Sequence, residues 1–557
     1  MTDDGHASPR HLNVAKRLTD CAHRQPNAIA VIVPVRGGTG KSEYARHTFR
    51  QLDDDSSTIA RGLIRLGITP GMRLALLVRP GFEFISLVFA LLKSGAVQVL
   101  VDPGLGKRNA LQCLAEMEPE GFIAIPPGQA ARCLFRGQFP RARLNVTVGR
   151  RWFWPGPTLQ DVRRAGQPAG ELPATTADEP AAIIFTSGST GPPKGVLYSH
   201  GNFDRQVTEI RDQYQIEPGT IDVACFPLFA LFNCAMGATT VFPVMDASRP
   251  AAVDPRNIIK VVQDLGATQS FGSPAVWNKV GRYCQQHNIS LPTLRRVLSA
   301  GAPVPTHVLE RMSHCIAADG EVHTPYGATE ALPVATISAR EVIQQTAAKT
   351  QSGGGVCVGQ RFAGIEWKVA RIVDGPFESV DAIQELPRGE IGELLVRGPV
   401  VTRRYMARDE ATAKAKVPDG DTFWHRMGDA GYLDEEDRFW FCGRVGHRVV
   451  TGEETLFTIP CEAIYNAHPD VNRSALVGIG QPGQATPVMI LEPATGLWPP
   501  GAADRRNFIE TARQLGKANP LTAGIEHFLL HRSFPVDVRH NAKIFREKLA
   551  VWAARRV

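Results

Sequence analysis

Thr-Ser-Gly-Ser-Thr-Gly-Pro-Pro-Lys-Gly, residues 186–195, is the stretch from which the fold and the chemistry of this chain are most directly predicted. The apolar run 181–185 before it has the length of a buried strand, and residues 196–199 after it have the pattern of a second strand. Glycines let the backbone approach a ligand closely, and successive amides in such a loop form a concavity that suits anions. Because Lys194 adds a mobile positive charge, the stretch predicts a polyphosphate-binding loop between two strands.

This loop has two other interpretations. A Walker A motif has Ser or Thr after its lysine, whereas Gly195 follows Lys194 here and the glycine spacing also differs. A loop rich in Gly and Ser can also be only a flexible surface turn. The match over the whole stretch, and its position between two strand patterns, favour the phosphate-binding interpretation.

The composition is that of a globular enzyme with more than one domain. A chain of 557 residues is too long for one core, and its 43% hydrophobic and 21% charged residues are ordinary proportions. The net charge of +7 is spread widely, so no nucleic-acid partner is predicted. The ten cysteines include no Cys-x-x-Cys pair and the polar N-terminus is not a signal peptide, which together predict a cytoplasmic protein with free thiols.

One segment is apolar enough to raise the question of a membrane span. Residues 223–245 contain no charged side chain and are long enough to cross a bilayer. Pro227 and Pro243 interrupt the segment, and polar residues dilute it. We therefore predict a buried strand and helix here, and no transmembrane segment.

Strand and helix patterns alternate along most of the chain, which predicts an α/β fold. Strand 73–78, helix 82–94 and strand 97–101 are typical of a mainly parallel sheet covered by helices. After the phosphate loop, Asn202 is the predicted N-cap of the next helix. Two regions are predicted to be irregular, 126–180 because of its Pro, Arg and Gly content and 344–355 as a mobile low-complexity loop.

Four further stretches follow a strand or turn pattern and carry polar residues. They are Ser-Ala-Gly-Ala-Pro at 299–303, Tyr-Gly-Ala-Thr-Glu at 326–330, Gly-Asp-Ala-Gly-Tyr at 428–432 followed by Gly443-Arg444, and 535–543 ending in Lys543. Each is a weak signal alone, since small-residue turns are common and an Asp-x-Gly can be only a hairpin turn. With residues 186–195 they span nearly the whole chain, and in this order they resemble the adenylate-forming superfamily of acyl-CoA synthetases, nonribosomal peptide adenylation domains and luciferases.

The resemblance implies a two-domain architecture. Residues 1–446 would form a large N-terminal domain of two helix-covered sheets plus a β-rich subdomain from about residue 364 to 405. Residues 447–557 would form a small, mobile α+β domain that carries the catalytic lysine. His447 would lie at the hinge between them.

The resemblance also implies the roles of individual residues. Tyr326 would lie against adenine, Thr329 would touch the α-phosphate, and Glu330 would hold Mg²⁺. Asp429 would accept hydrogen bonds from the ribose, and Lys543 would reach the α-phosphate. The residues implied to be catalytic are Lys194, Thr329, Glu330 and Lys543. Those implied to bind ATP or AMP are Thr186, Ser187, Gly188, Ser189, Thr190, Gly191, Lys194, Gly301, Ala302, Pro303, Tyr326, Gly327, Thr329, Asp429, Arg444 and Lys543.

Three departures from the superfamily concern its second half-reaction. His447 stands where the hinge normally carries Asp or Lys, and Ala230 stands where a Pro-x-x-His run near the acyl pocket would have its histidine. Ala542 replaces the usual glycine before Lys543. These variants, with residues 226–233 and 539–549, resemble the β-lactone synthetases of bacterial long-chain olefin biosynthesis.

That closer resemblance implies a specific reaction. A long-chain 2-alkyl-3-hydroxy fatty acid would be activated by ATP and Mg²⁺ as its acyl-AMP, and its own 3-hydroxyl would then close a β-lactone and release AMP. CoA is not expected to take part, and association with other enzymes of the olefin pathway would fit. The alternatives are a long-chain fatty acyl-CoA ligase or fatty acyl-AMP ligase, and a catalytically inactive nucleotide-binding scaffold.

The acyl pocket and the proton acceptor are less well marked in the sequence. An apolar pocket is predicted from residues that could equally belong to the core, namely Phe226, Phe229, Ala230, Phe232, Asn233 and Trp277. Closure of the lactone needs a base for the hydroxyl proton. The sequence leaves His323, His447 and His540 open for this role.

Overall fold

The computed structural model describes residues 11–35, 43–167, 169–186, 192–494, 496–537 and 543–557. The predicted loop residues Ser187, Gly188, Ser189, Thr190 and Gly191, and also His540, lie outside these ranges. The helices α1 to α17 of the described residues are, in chain order, Lys16–Arg24, Phe49–Arg65, Phe82–Lys93, Lys107–Glu116, Pro126–Leu134, Leu159–Ala165, His200–Tyr214, Ala230–Met236, Pro255–Leu265, Pro274–His287, Thr306–Cys315, Ala339–Glu341, Ala347–Gln351, Asp409–Ala415, Thr458–Asn466, Ala502–Lys517 and Arg546–Ala553.

The strands form two large sheets and two small ones. Strands β1 to β25 are, in chain order, Ile29–Val35, Glu43–Thr48, Arg73–Leu77, Val97–Leu100, Gly121–Ala124, Leu144–Thr147, Pro180–Phe185, Gly195–Ser199, Ile221–Ala224, Thr239–Val241, Gln269–Gly272, Arg296–Ser299, Glu321–Ala328, Ala331–Ser338, Val356–Arg361, Glu366–Ala370, Gly392–Arg397, Lys416–Asp419, Thr422–Leu433, Arg438–Arg444, Val449–Val450, Thr455–Leu456, Val471–Ile479, Thr486–Pro493 and His527–Leu530.

The smaller of the two large sheets has six strands in the order β6-β5-β3-β4-β7-β8. Its first five strands are parallel, and β8 returns antiparallel to β7 across the predicted phosphate loop. Parallel neighbours require crossover connections, which helices such as α3, α4 and α5 supply. The predicted strand-loop-strand unit is thus a hairpin at the edge of a helix-covered sheet.

The larger sheet joins a parallel half to an antiparallel half. Strands β1, β10, β9, β11, β12 and β13 are parallel, and β14, β15, β20, β19, β17 and β16 continue the same sheet antiparallel. The predicted β-rich region, 364–405, contains β16 and β17, which belong to the antiparallel half of this sheet; that half also includes β14, β15, β19 and β20. The mixed α/β class predicted from the sequence is confirmed.

The chain after Arg448 builds a third unit of structure. Its three-stranded sheet has the order β23-β24-β25, and α15, α16 and α17 pack against these strands. Two hydrophobic clusters of described residues lie wholly within this part of the chain, one around Tyr465 and Leu476 and the other around Val488 and Phe534. Apolar residues of this unit thus pack largely on one another.

Two regions predicted to be irregular contain regular elements in the structure, although 148–157 and 169–175 are irregular as predicted. Residues 126–180 contain α5, β6 and α6, and α5 is held because Gln129 donates hydrogen bonds to the carbonyls of Phe122 and Val146. Residues 344–355 fall mostly within a π-helical turn, Val342–Thr346, and α13. Their order comes from tertiary contacts, since Thr346 is buried and the Lys349 ammonium lies 4.3 Å from the Trp440 ring centre.

Two smaller predictions have different outcomes. Helix α7 is capped by Ser199, and Asn202 is the third helical residue that completes the capping box, so the predicted N-cap was three residues late. Residues 223–245 form β9, α8 and β10 in the core, as predicted. Among the described residues, no helix is both long and apolar enough to cross a bilayer.

Candidate active site

The predicted nucleotide residues meet at one large cavity. It has a volume of about 2480 Å³ and lies between the ends of the two large sheets and the last part of the chain. The described residues that sequence analysis assigned to nucleotide binding or catalysis all line it, and they are Thr186, Lys194, Gly301, Ala302, Pro303, Tyr326, Gly327, Thr329, Glu330, Asp429, Arg444 and Lys543. Residues far apart in sequence are therefore brought together, while their individual roles stay predictions.

The phosphate loop is closed at its base by its own first and last residues. The Thr186 amide donates to the Lys194 carbonyl at 3.0 Å, and the Lys194 amide donates to the Thr186 hydroxyl at 3.1 Å. Both contacts continue the β7–β8 ladder by one step. The loop therefore leaves the sheet at a defined place, with the Lys194 ammonium 4.8 Å from the Tyr405 ring centre.

Tyr326, Asp429 and Arg444 form a buried polar cluster on three strands. The Tyr326 hydroxyl donates to Asp429 Oδ2 at 2.5 Å, and Arg444 Nη1 donates to Asp429 Oδ1 at 2.7 Å. The charge of Asp429 raises the pKa of Arg444, and burial raises the pKa of Tyr326, so the guanidinium stays protonated and the phenol stays neutral. A carboxylate oxygen can accept a second hydrogen bond, so a ribose hydroxyl at Asp429 remains compatible with this geometry.

Glu330 is held by groups that the sequence did not reveal. The Tyr405 hydroxyl donates to Glu330 Oε1 at 2.6 Å, and both the amide and the hydroxyl of Thr402 donate to the Glu330 carbonyl. The Tyr198 hydroxyl holds the neighbouring Thr329 carbonyl in the same way. Because Tyr405 touches both Lys194 and Glu330, the loop lysine and the carboxylate lie on two sides of one ring.

The oxygen ligand that Glu330 offers suits Mg²⁺ that is also coordinated by substrate phosphates, rather than a metal ion coordinated by protein side chains alone. Mg²⁺ prefers oxygen ligands and commonly shares one or two carboxylates with substrate phosphates. Among the described residues, no group of three or more His, Cys, Asp or Glu side chains could hold an ion by itself. A single carboxylate next to a phosphate loop is the arrangement that such shared coordination needs.

A lysine and a histidine that were not predicted from the sequence lie near Glu330, because the lysine and Glu330 both contact Thr402. Lys416 and His425 face each other across β18 and β19. The Lys416 ammonium donates to the Thr402 carbonyl, and burial lowers the pKa of Lys416 to about 7 although Glu330 opposes this. Burial and Lys416 both lower the pKa of His425, which keeps its ring neutral. Nothing in the local sequence marks the pair, because its contacts arise from strand pairing.

The segment around Lys543 is anchored on both sides. The Lys543 amide donates to Asp537 Oδ1 at 2.8 Å, and the Asp537 amide donates to the Lys543 carbonyl at 3.0 Å. Three residues later, Arg546 forms a buried ion pair with Glu462, whose carboxylate also accepts the Leu476 amide. These contacts fix the backbone that presents Lys543 to the cavity.

The predicted hinge residue, His447, lies in a short 3₁₀ turn and also lines the cavity. Its Nε2 lies 3.0 Å from Glu547 Oε1 on α17. Burial, and secondarily the charge of Arg546, lower the pKa of His447, while Glu547 acts in the opposite direction. His323, by contrast, is outside the cavity lining and packs against Tyr214, with ring centres 5.1 Å apart. Of the three histidines considered as a base, His447 is the one whose described side chain borders the cavity.

The predicted acyl-pocket residues divide into two groups. Phe226, Phe229 and Phe232 line the cavity, and Phe229 stacks on Phe271 with ring centres 3.7 Å apart. Ala230, Asn233 and Trp277 do not line it, which corrects that part of the prediction. Those three are core residues. The Ala230 carbonyl accepts a hydrogen bond from the Thr240 hydroxyl on β10, the Asn233 amide donates to Asp222, and the Trp277 indole donates to the Leu298 carbonyl.

For the residues on α8, this division follows from the orientation of the helix. Its residues Leu231, Phe232 and Ala235 face the cavity, and Asn233 lies on the opposite side. There the Asn233 amide donates to Asp222 Oδ2 at 2.7 Å, and burial raises the pKa of Asp222 to about 6. The helix is therefore held from behind by a polar contact while its aromatic face borders the cavity.

Comparison with known proteins defines the class of the chain. Residues 18–406 match the AMP-binding enzyme family, so the chain belongs to that family. Among its relatives, it is 47% identical over 551 residues to the olefin beta-lactone synthetase of Xanthomonas campestris pv. campestris, covering 97% of each chain. It is 45% identical over 554 residues to the olefin beta-lactone synthetase of Stenotrophomonas maltophilia, covering 98% of each chain.

A solved structure with the same architecture supports the fold. The amide bond synthetase McbA from Marinactinospora thermotolerans superposes with a TM-score of 0.77, covering 97% of this chain and 99% of that one. At 21% identity this likeness concerns the fold alone. The family predicted from the five sequence stretches is confirmed.

Proposed function

We propose that this AMP-binding enzyme is an ATP-dependent β-lactone synthetase acting on a long-chain 2-alkyl-3-hydroxy fatty acid. The observation that carries the proposal is the similarity, over 97% of the chain, to a protein named olefin beta-lactone synthetase. The proposal extends the confirmed class, an AMP-forming ligase, to a particular substrate and product.

In the first step, the substrate carboxylate attacks the α-phosphorus of ATP, an acyl-AMP forms and pyrophosphate leaves. Lys543, presented from its anchored loop, stabilises the negative charge that develops on the phosphoryl oxygens. Lys194 and the loop amides hold the departing phosphates. Tyr326, Asp429 and Arg444 orient the nucleoside from the opposite side of the cavity.

In the second step, the substrate's own 3-hydroxyl oxygen attacks the acyl carbonyl carbon and closes the four-membered ring. The bond from that carbon to the phosphate oxygen breaks, and AMP leaves with the electron pair. The hydroxyl proton must go to a base or to water. An internal nucleophile has a high effective concentration once it is oriented, so no external thiol is needed. This is consistent with the replacement of the superfamily's hinge residue by His447.

An ordinary long-chain acyl-CoA or acyl-AMP ligase is the second candidate. The aromatic wall of Phe226, Phe229 and Phe232 would serve a simple fatty acid equally well. The replacement at Ala230 gives less support to the lactone than sequence analysis suggested, because this residue does not line the cavity. An inactive scaffold is disfavoured, since Lys194, Glu330, Asp429 and Lys543 converge on one cavity.

We further propose that the chain divides at 446/447 into two domains that move about His447. The support is that the two apolar clusters after Arg448 consist of residues from that part alone. The His447–Glu547 contact would then be one of the interactions that changes when the smaller domain rotates.

The proposed metal site can be tested at one residue. When bound, Mg²⁺ would neutralise phosphate charge beside the Glu330 carboxylate. We expect Glu330→Gln to need a higher Mg²⁺ concentration for half-maximal pyrophosphate exchange, because an amide is a poorer ligand for a hard cation. The exposed residue Glu390 supplies a matched control as Glu390→Gln. An unchanged Mg²⁺ titration would argue against the assignment.

The product test is direct. A long-chain 2-alkyl-3-hydroxy acid is incubated with the enzyme, ATP and Mg²⁺, with and without CoA, and the products are identified by mass spectrometry. We expect β-lactone and AMP in both incubations. An acyl-CoA that appears only with CoA, without lactone, would identify the enzyme as a ligase.

A further inference from the structure

The cavity has a wall to which none of the nucleotide motifs contributes. Helix α3 supplies Phe84, Val88, Phe89 and Leu92, each at most 6% exposed. Their spacing puts them on one face of the helix. This face belongs to the largest apolar cluster, which also holds residues of the six-stranded sheet.

Helices α7 and α8 contribute further apolar residues to the cavity lining. Val207 and Ala235 line the cavity and belong to the same apolar cluster as the α3 residues. We call this region the inner branch and define it by Phe84, Val88, Phe89, Leu92, Val207 and Ala235. It adjoins the aromatic wall of Phe226, Phe229 and Phe232, since Phe232 and Ala235 both face the cavity from α8. An apolar branch of this kind suits an alkyl chain.

One polar atom at the inner branch has an unmet hydrogen-bonding capacity. The Gln206 side chain on α7 is 1% exposed and lines the cavity next to Val207. Its Nε2 donates to the Leu332 carbonyl at 2.8 Å, which fixes the orientation of the amide. Its Oε1 is buried and accepts no hydrogen bond from any described residue. A buried acceptor without a donor is costly, so it calls for a donor from a ligand.

Gln206 also lies close to the predicted reacting centre. Leu332, its partner, follows Glu330 by two residues on the same hairpin. The neighbouring Tyr198 hydroxyl contacts the Thr329 carbonyl and also lines the cavity. The Gln206 side chain is therefore held next to the Thr329–Glu330 turn, and its neighbour Val207 belongs to the inner branch.

We propose that Gln206 accepts a hydrogen bond from the substrate's 3-hydroxyl and that the alkyl chain on that same carbon occupies the inner branch. The 2-alkyl chain then lies along the aromatic wall. This inference rests on the proposed lactone-forming function. A linear, unsubstituted fatty acid has one chain and no hydroxyl, so it would leave both the acceptor and one of the two apolar walls without a partner.

The chain assignment is tested with two substrates that share a long 2-alkyl chain and differ in the chain on carbon 3, which is long in one and a methyl group in the other. Val88→Phe and Val207→Phe each narrow the inner branch. We expect kcat/KM for the long-chain substrate to fall about tenfold or more, as expected when a pocket no longer fits an alkyl group. The methyl substrate should react as in the wild type, which also shows that the variants fold. Equal losses for both substrates, or none, would overturn the assignment.

The hydroxyl contact is tested with Gln206→Leu. Closure of a preformed acyl-AMP should slow about tenfold, the effect of losing one hydrogen bond to the reacting hydroxyl. Pyrophosphate exchange with the 3-deoxy acid should be retained, whereas a purely structural role would impair it. Gln98 offers a comparison, because its Oε1 is also buried without a described donor and borders the cavity. If Gln98→Leu slows closure and Gln206→Leu does not, the assignment to Gln206 is wrong.

Failure of this inference differs from failure of the proposed function. If the wild-type enzyme forms no lactone, the proposed function itself fails. If it forms lactone and the Val88, Val207 and Gln206 variants behave as the wild type does with every substrate, only the present inference fails.

Discussion

The role proposed for Lys543 depends on a backbone that contacts hold in place before and after this residue. Because Asp537 fixes its amide and Arg546 is paired with Glu462, the segment can present an ammonium group to the cavity without local unfolding. The side chain, rather than the backbone, would supply the electrostatic stabilisation. Removal of the Lys543 side chain should therefore test its electrostatic role without disturbing the backbone.

We expect Lys543→Ala to slow adenylation by a factor of about 10²–10³, the usual effect of removing one preorganised donor at developing charge. Pyrophosphate exchange measures this step, and substrate affinity should change little. Lys548→Ala removes an exposed lysine from the same segment and serves as the control. Near wild-type exchange in Lys543→Ala would show that another group performs this task.

Lys416 is a second residue with a measurable signature. The unfolded chain keeps the Lys416 proton up to its ordinary pKa of 10.5, whereas burial brings the folded pKa to about 7. Between these two pH values the unfolded state binds more protons, so the contribution of Lys416 makes the folded state more stable as pH rises. Below about pH 7 Lys416 is protonated in both states, so the free energy of unfolding is reduced by the full cost of burying its charge.

Lys416→Met should remove that pH dependence. The difference in free energy of unfolding, wild type minus variant, should increase by about 1.4 kcal/mol per pH unit between the two pKa values. Denaturant unfolding from pH 7 to pH 10 measures it, with Lys414→Met as an exposed control from the same segment. A difference that is constant with pH would mean that Lys416 stays protonated in the folded state.

At the scale of elements, α17 is attached to the three-stranded sheet by charge as well as by apolar packing. Arg546, at the first position of α17, reaches Glu462 on α15 at 2.6 Å, and Glu462 accepts the Leu476 amide from β23. Burial raises the pKa of Glu462, and the guanidinium of Arg546 opposes this shift. One ion pair thus joins two helices and a strand beneath the Lys543 segment.

Arg546→Ala leaves the Glu462 carboxylate buried without its partner. We expect it to destabilise this unit by about 3–5 kcal/mol, the typical cost of breaking a buried pair. Hydrogen exchange at the Leu476 amide should accelerate accordingly. In contrast, Arg513→Ala removes a more exposed pair with Glu510 and should cost less than about 1 kcal/mol. Equal effects of the two substitutions would mean that the buried pair adds no special stability.

For the whole molecule, the central question is whether the second step uses an internal or an external nucleophile. A 3-deoxy analogue keeps the carboxylate that attacks ATP but lacks the hydroxyl that closes the ring. We expect it to be adenylated and then to remain bound as acyl-AMP, with about one pyrophosphate released per site and no steady state. The internal route depends on holding nucleophile and carbonyl within about 3–3.5 Å, which the analogue cannot satisfy.

Adding CoA is the control for that experiment. Quenched-flow measurement of pyrophosphate and mass analysis of bound adenylate follow both half-reactions. Restored turnover with accumulation of acyl-CoA would show that the domains can admit a thiol, and the lactone proposal would then be wrong.

The family could be predicted from the sequence, and so could the residues of the candidate nucleotide site. The stretch at 186–195 and the turns at 326–330 and 428–432 are short patterns of glycines, hydroxyl groups and charges, and their chemistry is carried by residues adjacent in the chain. The structure brings their described members to one cavity. The alternation of strand and helix patterns likewise predicted the α/β class, because hydrophobic periodicity is a local property.

The side chains that contact those motifs could be identified only from the folded chain. Tyr405 is 75 residues from Glu330, and Lys416 reaches the Thr402 carbonyl only after β18 pairs with β19. The short helix α8 could have presented either side to the cavity, and the Asn233–Asp222 contact behind it determined which side does. Residues 344–355 became ordered through burial of Thr346 and the contact of Lys349 with Trp440. In each case a contact between different elements of the fold determines the outcome, and no local pattern of residues specifies such a contact.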